Sequence, residues 1–287
     1  MRPSARPRRS ALYMPASNAR AVAKARALDC DVVILDLEDA VLPEAKDFAR
    51  EAAVAAVKEG GFGRRELVVR VNAIDTPWGR ADLAAIAAAG PDAILVPKVR
   101  GPADVEAYDA ALAGAPAHTG LWAMVETVQA VPRLDAIAQT STATRLCALV
   151  MGVNDLAREM GARQSPERTP FHAAFSLAVS AARAHGLAIL DGVHNEIDDL
   201  AALVAVCRQG VEFGFDGKSL IHPSHLEICN RVFSPSAEDV AWARKVIAAF
   251  EAPENAGKGA LALDGRLVEL LHRDQAIKLL AIPEALT

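Results

Sequence analysis

Short apolar runs alternate with longer, Ala-rich amphipathic segments along most of the chain. The apolar runs are rich in Val, Ile and Leu and end in polar residues, which is typical of buried strands in a parallel sheet. We predict eight strands, at residues 11–16, 31–39, 66–72, 92–99, 120–127, 146–155, 187–194 and 213–223. Helical spacing of apolar residues marks the segments between them, as at residues 19–28, 44–59 and 169–186.

Eight alternations of strand and helix predict a TIM (β/α)₈ barrel, which we assign to residues 1–230. A doubly wound open sheet is the alternative fold. The barrel is favoured because the eight units are fairly even in length. In addition, no GxGxxG motif follows the first strand, where a dinucleotide-binding sheet would carry it.

The pattern changes after the barrel, at residues 231–287. Residues 233–255 contain Ser and Pro capping residues followed by a helical segment, and residues 256–286 begin as a Gly-rich hairpin with a turn at Asp264 and Gly265. A second helix follows the hairpin. We expect this extension to pack on the barrel, over its mouth or on a neighbouring subunit.

Composition excludes several classes of protein. The net charge of -5 gives no basis for nucleic-acid binding, and no apolar stretch is long and charge-free enough to span a membrane. The basic run MRPSARPRRS lacks the apolar core of a secretory signal, and Arg2 to Arg8 are expected to form a solvated tail. The four cysteines form no CxxC pair, which indicates buried thiols in a reducing cytoplasm.

Polar side chains follow the apolar part of nearly every predicted strand. The second strand places three carboxylates, Asp36, Glu38 and Asp39, within four residues. The other polar strand ends are Arg70-Asn72, Lys98, Glu126-Thr127, Asn154-Asp155, Asp191-His194 and Asp216-Lys218. Because the carboxyl ends of barrel strands meet at one face, where TIM-barrel active sites lie, we predict a catalytic site there.

Glu126 and Asp155 are the candidate metal ligands. They end the adjacent fifth and sixth predicted strands, so both carboxylates could hold one hard cation. Mg²⁺ is commonly bound by one or two carboxylates, with water and substrate oxygens in its other positions. The alternative is structural, with Glu126 capping the following helix and Asp155 forming an Asx turn.

Arg70 and Lys98 are the candidate cationic groups. Arg70 could pair with Asp36 or Glu38 on the preceding strand and still point at a substrate carboxylate or enolate oxygen. Lys98 could be a Schiff-base lysine of a metal-free aldolase. We favour an ion-pair role for it, beside acidic neighbours.

These motifs, in this order, resemble the HpcH/HpaI aldolase–citrate lyase β-subunit family, in its CitE-like branch. The resemblance covers almost the whole chain. The matching strings are RRSALYMPASNARAVAKA, DVVILDLEDAVLPEAKDFAR, VVRVNAIDTPWGRADL, ILVPKV, MVETVQAV, LVMGVNDLA, DGVHNEIDDLAAL, GFDGKSLIHPSHLEICNRVFSPSAEDVAWARKV and GKGALALDGRLVE.

The resemblance implies a TIM-barrel enzyme, usually a trimer or hexamer, with bound Mg²⁺. The family's metal carboxylates fall on Glu126 and Asp155, and its substrate-binding arginine falls on Arg70. Asp36 and Glu38 are implied to lie beside the metal site and Arg70, as catalytic candidates, and Lys98 is a further substrate-binding candidate. The candidates for contacts to the CoA phosphates are Arg9, Arg20 and Lys24.

The implied reaction is Mg²⁺-dependent cleavage or condensation of a 3-hydroxyacyl-CoA, such as malyl-CoA or citramalyl-CoA. The products of cleavage are acetyl-CoA and a 2-oxo acid, glyoxylate or pyruvate. The open alternatives are an aldolase acting on free acids without CoA, a citrate lyase β-like subunit acting on a carrier-protein thioester, and a non-catalytic member.

One position departs from the CoA-lyase pattern. Those lyases carry a catalytic Asp in a C-terminal G-[KR]-M-[IV]-D-x-P segment that reaches a neighbouring subunit's site. The matching run here is GRLVELL, which puts Glu269 at the Asp position. Because a displacement of about 1 Å can cost on the order of 10²-fold in rate, this change predicts either a tolerated Glu269 or a different chemistry.

Overall fold

The computed structural model describes residues 6–284, which divide into two compact units. One unit comprises residues 8–231 and the other comprises residues 6–7 with 232–284. In the described range, we find no helix with the length and apolar character needed to cross a membrane.

The larger unit contains eight strands and nine α-helices in its described residues. The strands are β1 Ser10–Pro15, β2 Val32–Asp36, β3 Glu66–Arg70, β4 Ala93–Val96, β5 Gly120–Val125, β6 Leu146–Met151, β7 Ala188–Asp191 and β8 Gly217–Leu220. The helices are α1 Ala19–Ala25, α2 Lys46–Glu59, α3 Gly79–Ala89, α4 Pro102–Ala111, α5 Leu134–Gln139, α6 Val153–Met160, α7 His172–His185, α8 Leu200–Phe213 and α9 Leu226–Val232.

The eight strands form a closed parallel barrel in sequence order, with β8 pairing back to β1. The predicted barrel is therefore confirmed. Most strands end two to four residues before their predicted carboxyl ends, because the polar residues there lie in loops. The register of β2 and β3 places Asp36 directly beside Arg70.

Alternate residues of the strands fill the barrel interior. Ile34, Val68, Leu95, Met124 and Val150 belong to one buried cluster, as expected when every second side chain of a strand points inward. Continuing this alternation toward the carboxyl ends brings polar side chains to the top of the same interior. The apolar cluster thus forms the floor of the candidate site.

A buried ion pair closes the amino end of the barrel. Arg8 Nε lies 2.6 Å from Glu66 Oε2, and Arg8 Nη2 donates to Glu66 Oε1 at 2.9 Å. The guanidinium also lies over the Trp122 ring, 5.2 Å from its centroid. Bidentate pairing and ring stacking compensate the burial of both charges.

Two polar strand-end predictions are corrected by the structure. Asp155 lies in the first turn of α6, because β6 ends at Met151 and Gly152 precedes the helix. Asp216 lies at the amino end of β8, not its carboxyl end, and pairs with Arg183 of α7. The predicted strand at 213–223 shrinks to four residues because Phe213 still belongs to α8.

A second buried charge cluster lies on the helix side of β7. Arg168 Nη1 donates to both carboxylate oxygens of Asp191 at 2.7 Å, and Lys218 Nζ donates to Asp191 Oδ2 at 2.9 Å. Arg168 also stacks on Phe175 of α7. These contacts fix β7 and β8 to the surrounding helices.

The smaller unit contains two helices and a hairpin, with their own apolar cluster. They are α10 Ala237–Glu251, β9 Ala260–Leu263, β10 Arg266–Glu269 and α11 Leu270–Glu284. Ser236 and Asp239 form a capping box at the start of α10, as the sequence predicted. Asp264 and Gly265 both have positive φ, which confirms the predicted hairpin turn and is typical of a two-residue type I′ loop.

Candidate active site

Arg70 is held at the carboxyl end of β3 by Asp36. Arg70 Nε donates to Asp36 Oδ1 at 2.7 Å, and Nη2 donates to Asp36 Oδ2 at 2.6 Å. Both side chains are buried, and the carboxylate keeps the pKa of Arg70 above its ordinary value despite burial. This bidentate pair anchors the guanidinium through two of its donor groups.

Glu38 and Asp39 face the Nη1 edge of the same guanidinium. Glu38 Oε2 lies 2.9 Å from Arg70 Nη1, and Asp39 Oδ2 lies 3.5 Å away. This buried oxygen has a charged neighbour but accepts no hydrogen bond from the described residues. Burial raises the pKa of Glu38 to about 8 against the opposing effect of Arg70, with Glu126 and Asp39 adding to the rise.

The acidic loop after β2 is fixed by backbone contacts. Asp36 accepts hydrogen bonds from the backbone N–H groups of Glu38 and Ala40. Lys46, the first residue of α2, donates to the carbonyl oxygens of Leu37 and Glu38 at 2.8 and 2.6 Å. The predicted clustering of acids is present, and Arg70 and Lys46 supply cations around it.

Glu126 follows β5 and its side chain is 1% exposed. Its Oε1 accepts the backbone N–H of Lys98 at 2.8 Å, and burial raises the pKa of Glu126. Gly152 makes room for it, because a Cβ at Gly152 would lie 2.5 Å from Glu126 Cβ and 2.6 Å from Oε2. The glycine of the VMGVND segment is therefore part of the site.

Lys98 joins Glu126 to Asp155. Its Nζ lies 3.3 Å from Glu126 Oε1 and within hydrogen-bonding distance of Asp155 Oδ2, so it has the ion-pair contacts that the sequence predicted. Lys98 has φ of 55°, a conformation that costs a non-Gly residue of order 1 kcal/mol. Arg158 contacts the other oxygen of Asp155 at 2.5 Å.

Glu126 and Asp155 fit a magnesium site. Both carboxylates reach one cationic atom, Lys98 Nζ, which shows that a single cation can lie within reach of both. In the described residues there is no group of three or more His, Cys, Asp or Glu side chains arranged for a metal. Two carboxylates, with water and substrate oxygens in the other positions, suit Mg²⁺.

The three candidate CoA contacts lie in different places. Arg9 precedes β1 and is buried in a bidentate pair with Asp31, which precedes β2, so it lies at the amino end of the barrel. The structure therefore does not bring Arg9 to the site, because the CoA mouth would be at the opposite end. Arg20 and Lys24 are exposed on α1, with Arg20 in the first turn after β1.

Glu269 is the last residue of β10 in the smaller unit, and it is exposed. Its backbone N–H donates to His272 Nδ1 at 2.9 Å. The carboxylate at the position that holds Asp in the CoA-lyase pattern is thus presented at the end of a hairpin.

Lys46, Gly152 and Tyr13 were not singled out by the sequence. Tyr13 lies inside the barrel, and the Arg70 guanidinium lies 4.7 Å above its ring centroid. Inward alternation along β1 was the signal that could have found Tyr13. Lys46 and Gly152 make their contacts with loop residues, and the sequence pattern does not specify the path of those loops.

The family profile described as HpcH/HpaI aldolase/citrate lyase matches residues 9–223. The chain belongs to this family. The match to the HpcH/HpaI family spans the eight barrel strands and the candidate site residues of the larger unit.

Relatives within the HpcH/HpaI family have two named activities on malyl-CoA. The chain is 49% identical to a (3S)-malyl-CoA thioesterase of Cereibacter sphaeroides (strain KD131 / KCTC 12085) over 98% of this chain and 96% of that protein. It is 34% identical to an L-malyl-CoA/beta-methylmalyl-CoA lyase of C. sphaeroides (strain ATCC 17025), over 96% and 94% of the two chains. These relatives place the chain in the CitE-like branch of an enzyme family.

A solved structure supports the same placement. The chain superposes on CitE from Mycobacterium tuberculosis, in complex with magnesium, acetoacetate and coenzyme A, with a TM-score of 0.75. The identity is 31%, and the match covers 94% of this chain and 96% of that one. Magnesium is therefore used in the family.

Proposed function

We propose that the protein hydrolyses a malyl-CoA-type thioester to the free hydroxy acid and CoA. The observation that carries this proposal is the 49% identity to the (3S)-malyl-CoA thioesterase across nearly the full length of both chains. Glu269 supports it, because this chain lacks the Asp of the CoA-lyase pattern. We thus favour hydrolysis over the carbon–carbon cleavage that the sequence resemblance implied.

Arg70 would bind the substrate carboxylate. Asp36 holds two of its donor groups, and the Nη1 edge turns toward Glu38 and Asp39, so acidic side chains restrict the orientation of the guanidinium. A preoriented guanidinium forms charge-assisted hydrogen bonds with little loss of side-chain entropy. The acyl part of the substrate would therefore be anchored at the top of the barrel interior.

Glu38 would transfer protons during hydrolysis. Water adds to the thioester carbonyl carbon, the C–S bond breaks, and the thiolate takes a proton to leave as CoA thiol. With a pKa of about 8, Glu38 can accept the proton of the attacking water and return it near neutral pH. Oε2 of Glu38, which accepts no hydrogen bond from the described residues, is the atom for this exchange.

Glu126 and Asp155 would hold Mg²⁺, with Gly152 keeping space for Glu126. When bound, the metal supplies Lewis-acid stabilisation of negative charge that develops on substrate oxygens. The backbone N–H of Lys98 would keep its hydrogen bond to Glu126. Its ammonium would leave the position between Glu126 and Asp155 to the metal.

The second candidate function is a carbon–carbon lyase. It is supported by the 34% identity to the L-malyl-CoA/beta-methylmalyl-CoA lyase and by the assembled Arg70, Glu126 and Asp155. In this reaction the 3-hydroxyl loses its proton, the C–C bond breaks, and a 2-oxo acid forms with a thioester enolate. The negative charge passes from the 3-alkoxide to the thioester enolate, which takes a proton to become acetyl-CoA. Arg70 would hold the carboxylate of the 2-oxo acid.

One assay separates the two functions because their products differ. Purified protein is incubated with (3S)-malyl-CoA and Mg²⁺, and free thiol and glyoxylate are measured in the same sample. We expect thiol to accumulate with malate and without glyoxylate. Glyoxylate appearing with acetyl-CoA and no thiol would overturn hydrolysis in favour of the lyase.

The remaining alternatives are decided by extending the assay to other substrates. Turnover of a free 4-hydroxy-2-oxo acid, but of no CoA thioester, would establish the CoA-independent aldolase. Turnover of a carrier-protein thioester alone would establish the citrate lyase β-like activity. A protein that binds Mg²⁺ but converts none of these substrates would be a non-catalytic member.

A further inference from the structure

We propose that Tyr13 is a positioning residue whose ring fixes the orientation of the Arg70 guanidinium toward the substrate. This inference rests on the proposed role of Arg70 in binding a substrate carboxylate. Nothing in the sequence pattern or the family resemblance assigned Tyr13 a role, and its contacts carry the inference.

Tyr13 lies in the barrel interior directly below the site. It packs against the apolar cluster formed by alternate strand residues, and β1 places it next to β2, in register with Ile34. The residue is only partly buried, and its ring also lies against the Arg70 guanidinium of the charged layer. Tyr13 therefore lies between the apolar floor and the charged layer.

The Arg70 guanidinium lies over the face of the Tyr13 ring. The Arg70 Cζ lies 4.7 Å from the ring centroid, within the range of a cation–π interaction. Asp36 accepts hydrogen bonds from Nε and Nη2 of the guanidinium. These two bonds alone leave the guanidinium able to rotate about the axis that joins it to the carboxylate. The ring opposes that rotation, so together the two contacts fix the direction of the Nη1 edge.

The hydroxyl group of Tyr13 does not carry this role. It lies 3.4 Å from the sulfur of Met124, a weak acceptor, and burial raises the pKa of the phenol so that it stays neutral. The hydroxyl thus points to Met124, whereas the ring face contacts Arg70. A phenylalanine should therefore replace Tyr13 with little loss, and an aliphatic residue should not.

The test compares Tyr13→Phe with Tyr13→Leu, and uses Tyr13→Met as a second ring-free variant if the leucine variant does not fold. Phe62→Leu is the matched control, since Arg26 stacks on Phe62 at 5.1 Å away from the site. The first readout is the KM for (3S)-malyl-CoA, with kcat measured alongside. Removing the ring should raise KM about tenfold, since a desolvated cation–π contact accounts for such a factor.

The second readout does not depend on the substrate. The solvent-exchange rate of the Arg70 Nε–H is measured by NMR in metal-free protein, with the signal assigned through its loss in Arg70→Lys. We expect about tenfold faster exchange in Tyr13→Leu and a rate near wild type in Tyr13→Phe and Phe62→Leu.

The two readouts show whether the proposed function or the proposed role of Tyr13 is wrong. If the Arg70 Nε–H exchanges at the wild-type rate in Tyr13→Leu, the positioning role is overturned. It is also overturned if exchange in Tyr13→Phe is as fast as in Tyr13→Leu, because the hydroxyl would then be the group that matters. A malyl-CoA assay without turnover would remove the proposed function and leave the NMR comparison to decide on Tyr13.

Discussion

Glu38 shows how burial can make one carboxylate behave unlike its neighbours. Asp36, two residues earlier, is held in a bidentate pair, whereas Glu38 has a charged neighbour but, among the described residues, no donor at Oε2. The pKa of Glu38 consequently rises from an ordinary value of 4.5 to about 8. Two acidic residues of one loop thus differ, since Asp36 pairs with Arg70 whereas Glu38 is suited to the proton exchange proposed above.

The raised pKa predicts a specific pH dependence of stability. Between pH 4.5 and about 8 the folded protein keeps a proton on Glu38 that the unfolded chain has lost, so this group's stabilisation is present at low pH and is lost as the pH rises. Relative to Glu38→Gln, which cannot ionise, the wild type should lose about 3–5 kcal/mol of unfolding free energy between pH 5 and pH 9.

Urea titrations of both proteins in EDTA would measure this difference. Repeating them with saturating Mg²⁺ provides the control, because a bound cation favours the charged carboxylate and should shrink the difference. Parallel stability curves for wild type and Glu38→Gln at all pH values would contradict the assignment.

The contacts of Lys98 predict how its substitution changes the stability of the metal-free protein and its affinity for Mg²⁺. Its ammonium neutralises Glu126 and Asp155 in the structure, so Lys98→Met should destabilise the metal-free protein by about 2 kcal/mol. This is less than the 3–5 kcal/mol typical of a fully buried pair, since Lys98 is 30% exposed. The same substitution should tighten Mg²⁺ binding, because the metal no longer displaces an ammonium.

Thermal unfolding in EDTA and in Mg²⁺, with calorimetry of Mg²⁺ binding, measures both effects. Arg100→Met serves as the control, since Arg100 pairs only with exposed or half-exposed acids outside the site. Weaker Mg²⁺ binding by Lys98→Met would show that the lysine supports the metal site instead of competing with it.

At the scale of elements, the turn between β6 and α6 determines where Asp155 lies. The chain leaves the strand at Met151, passes Gly152 beside Glu126, and begins the helix at Val153. Asp155 consequently reaches the site from the first helical turn, where a carboxylate also interacts favourably with the helix dipole. Strand β5 and helix α6 together supply the two candidate metal ligands.

Gly152→Ala tests this turn. The added methyl group would lie 2.5 Å from Glu126 Cβ and must displace that side chain, so we expect Mg²⁺ affinity to fall at least about tenfold. Gly114→Ala is the matched control, because nothing lies within 4 Å of the position that its added methyl group would take. Calorimetry of Mg²⁺ binding compares the two, and unchanged affinity in Gly152→Ala would argue against Glu126 as a ligand.

The sequence pattern predicted the elements better than it predicted their ends. Apolar runs and their helical partners determine the barrel, and adjacent strands necessarily bring Asp36 to Arg70. The pattern could not show that Asp155 lies in the first turn of a helix, because the segment before it, LVMGV, reads as the continuation of an apolar strand. Nor could it show that Arg9 pairs with Asp31 at the amino end, since that contact joins residues 22 positions apart.

At the scale of the whole molecule, the smaller unit carries Glu269 at the end of a hairpin that has its own apolar cluster. We propose that this unit serves a neighbouring subunit of a homo-oligomer, as the sequence resemblance implied. Each site would then combine the barrel of one chain with Glu269 of another.

Mixing two inactive variants tests this arrangement. Asp155→Ala should lose Mg²⁺-dependent activity, and Glu269→Ala should be strongly impaired. If the chains are mixed and reassembled, about a quarter of the sites should combine an intact barrel with an intact Glu269 and regain activity. If Glu269 served its own chain, no mixed oligomer would contain an intact site, and activity would not return.

The Arg8–Glu66 pair that closes the amino end of the barrel has a kinetic consequence. A ligand at the interior site has one route in and the same route out, because the other end is filled by the guanidinium on Trp122. For a thioester bound with its acyl group inward, the CoA moiety occupies that route. The thiol must then depart before the acid, so release is ordered and free CoA should compete with substrate.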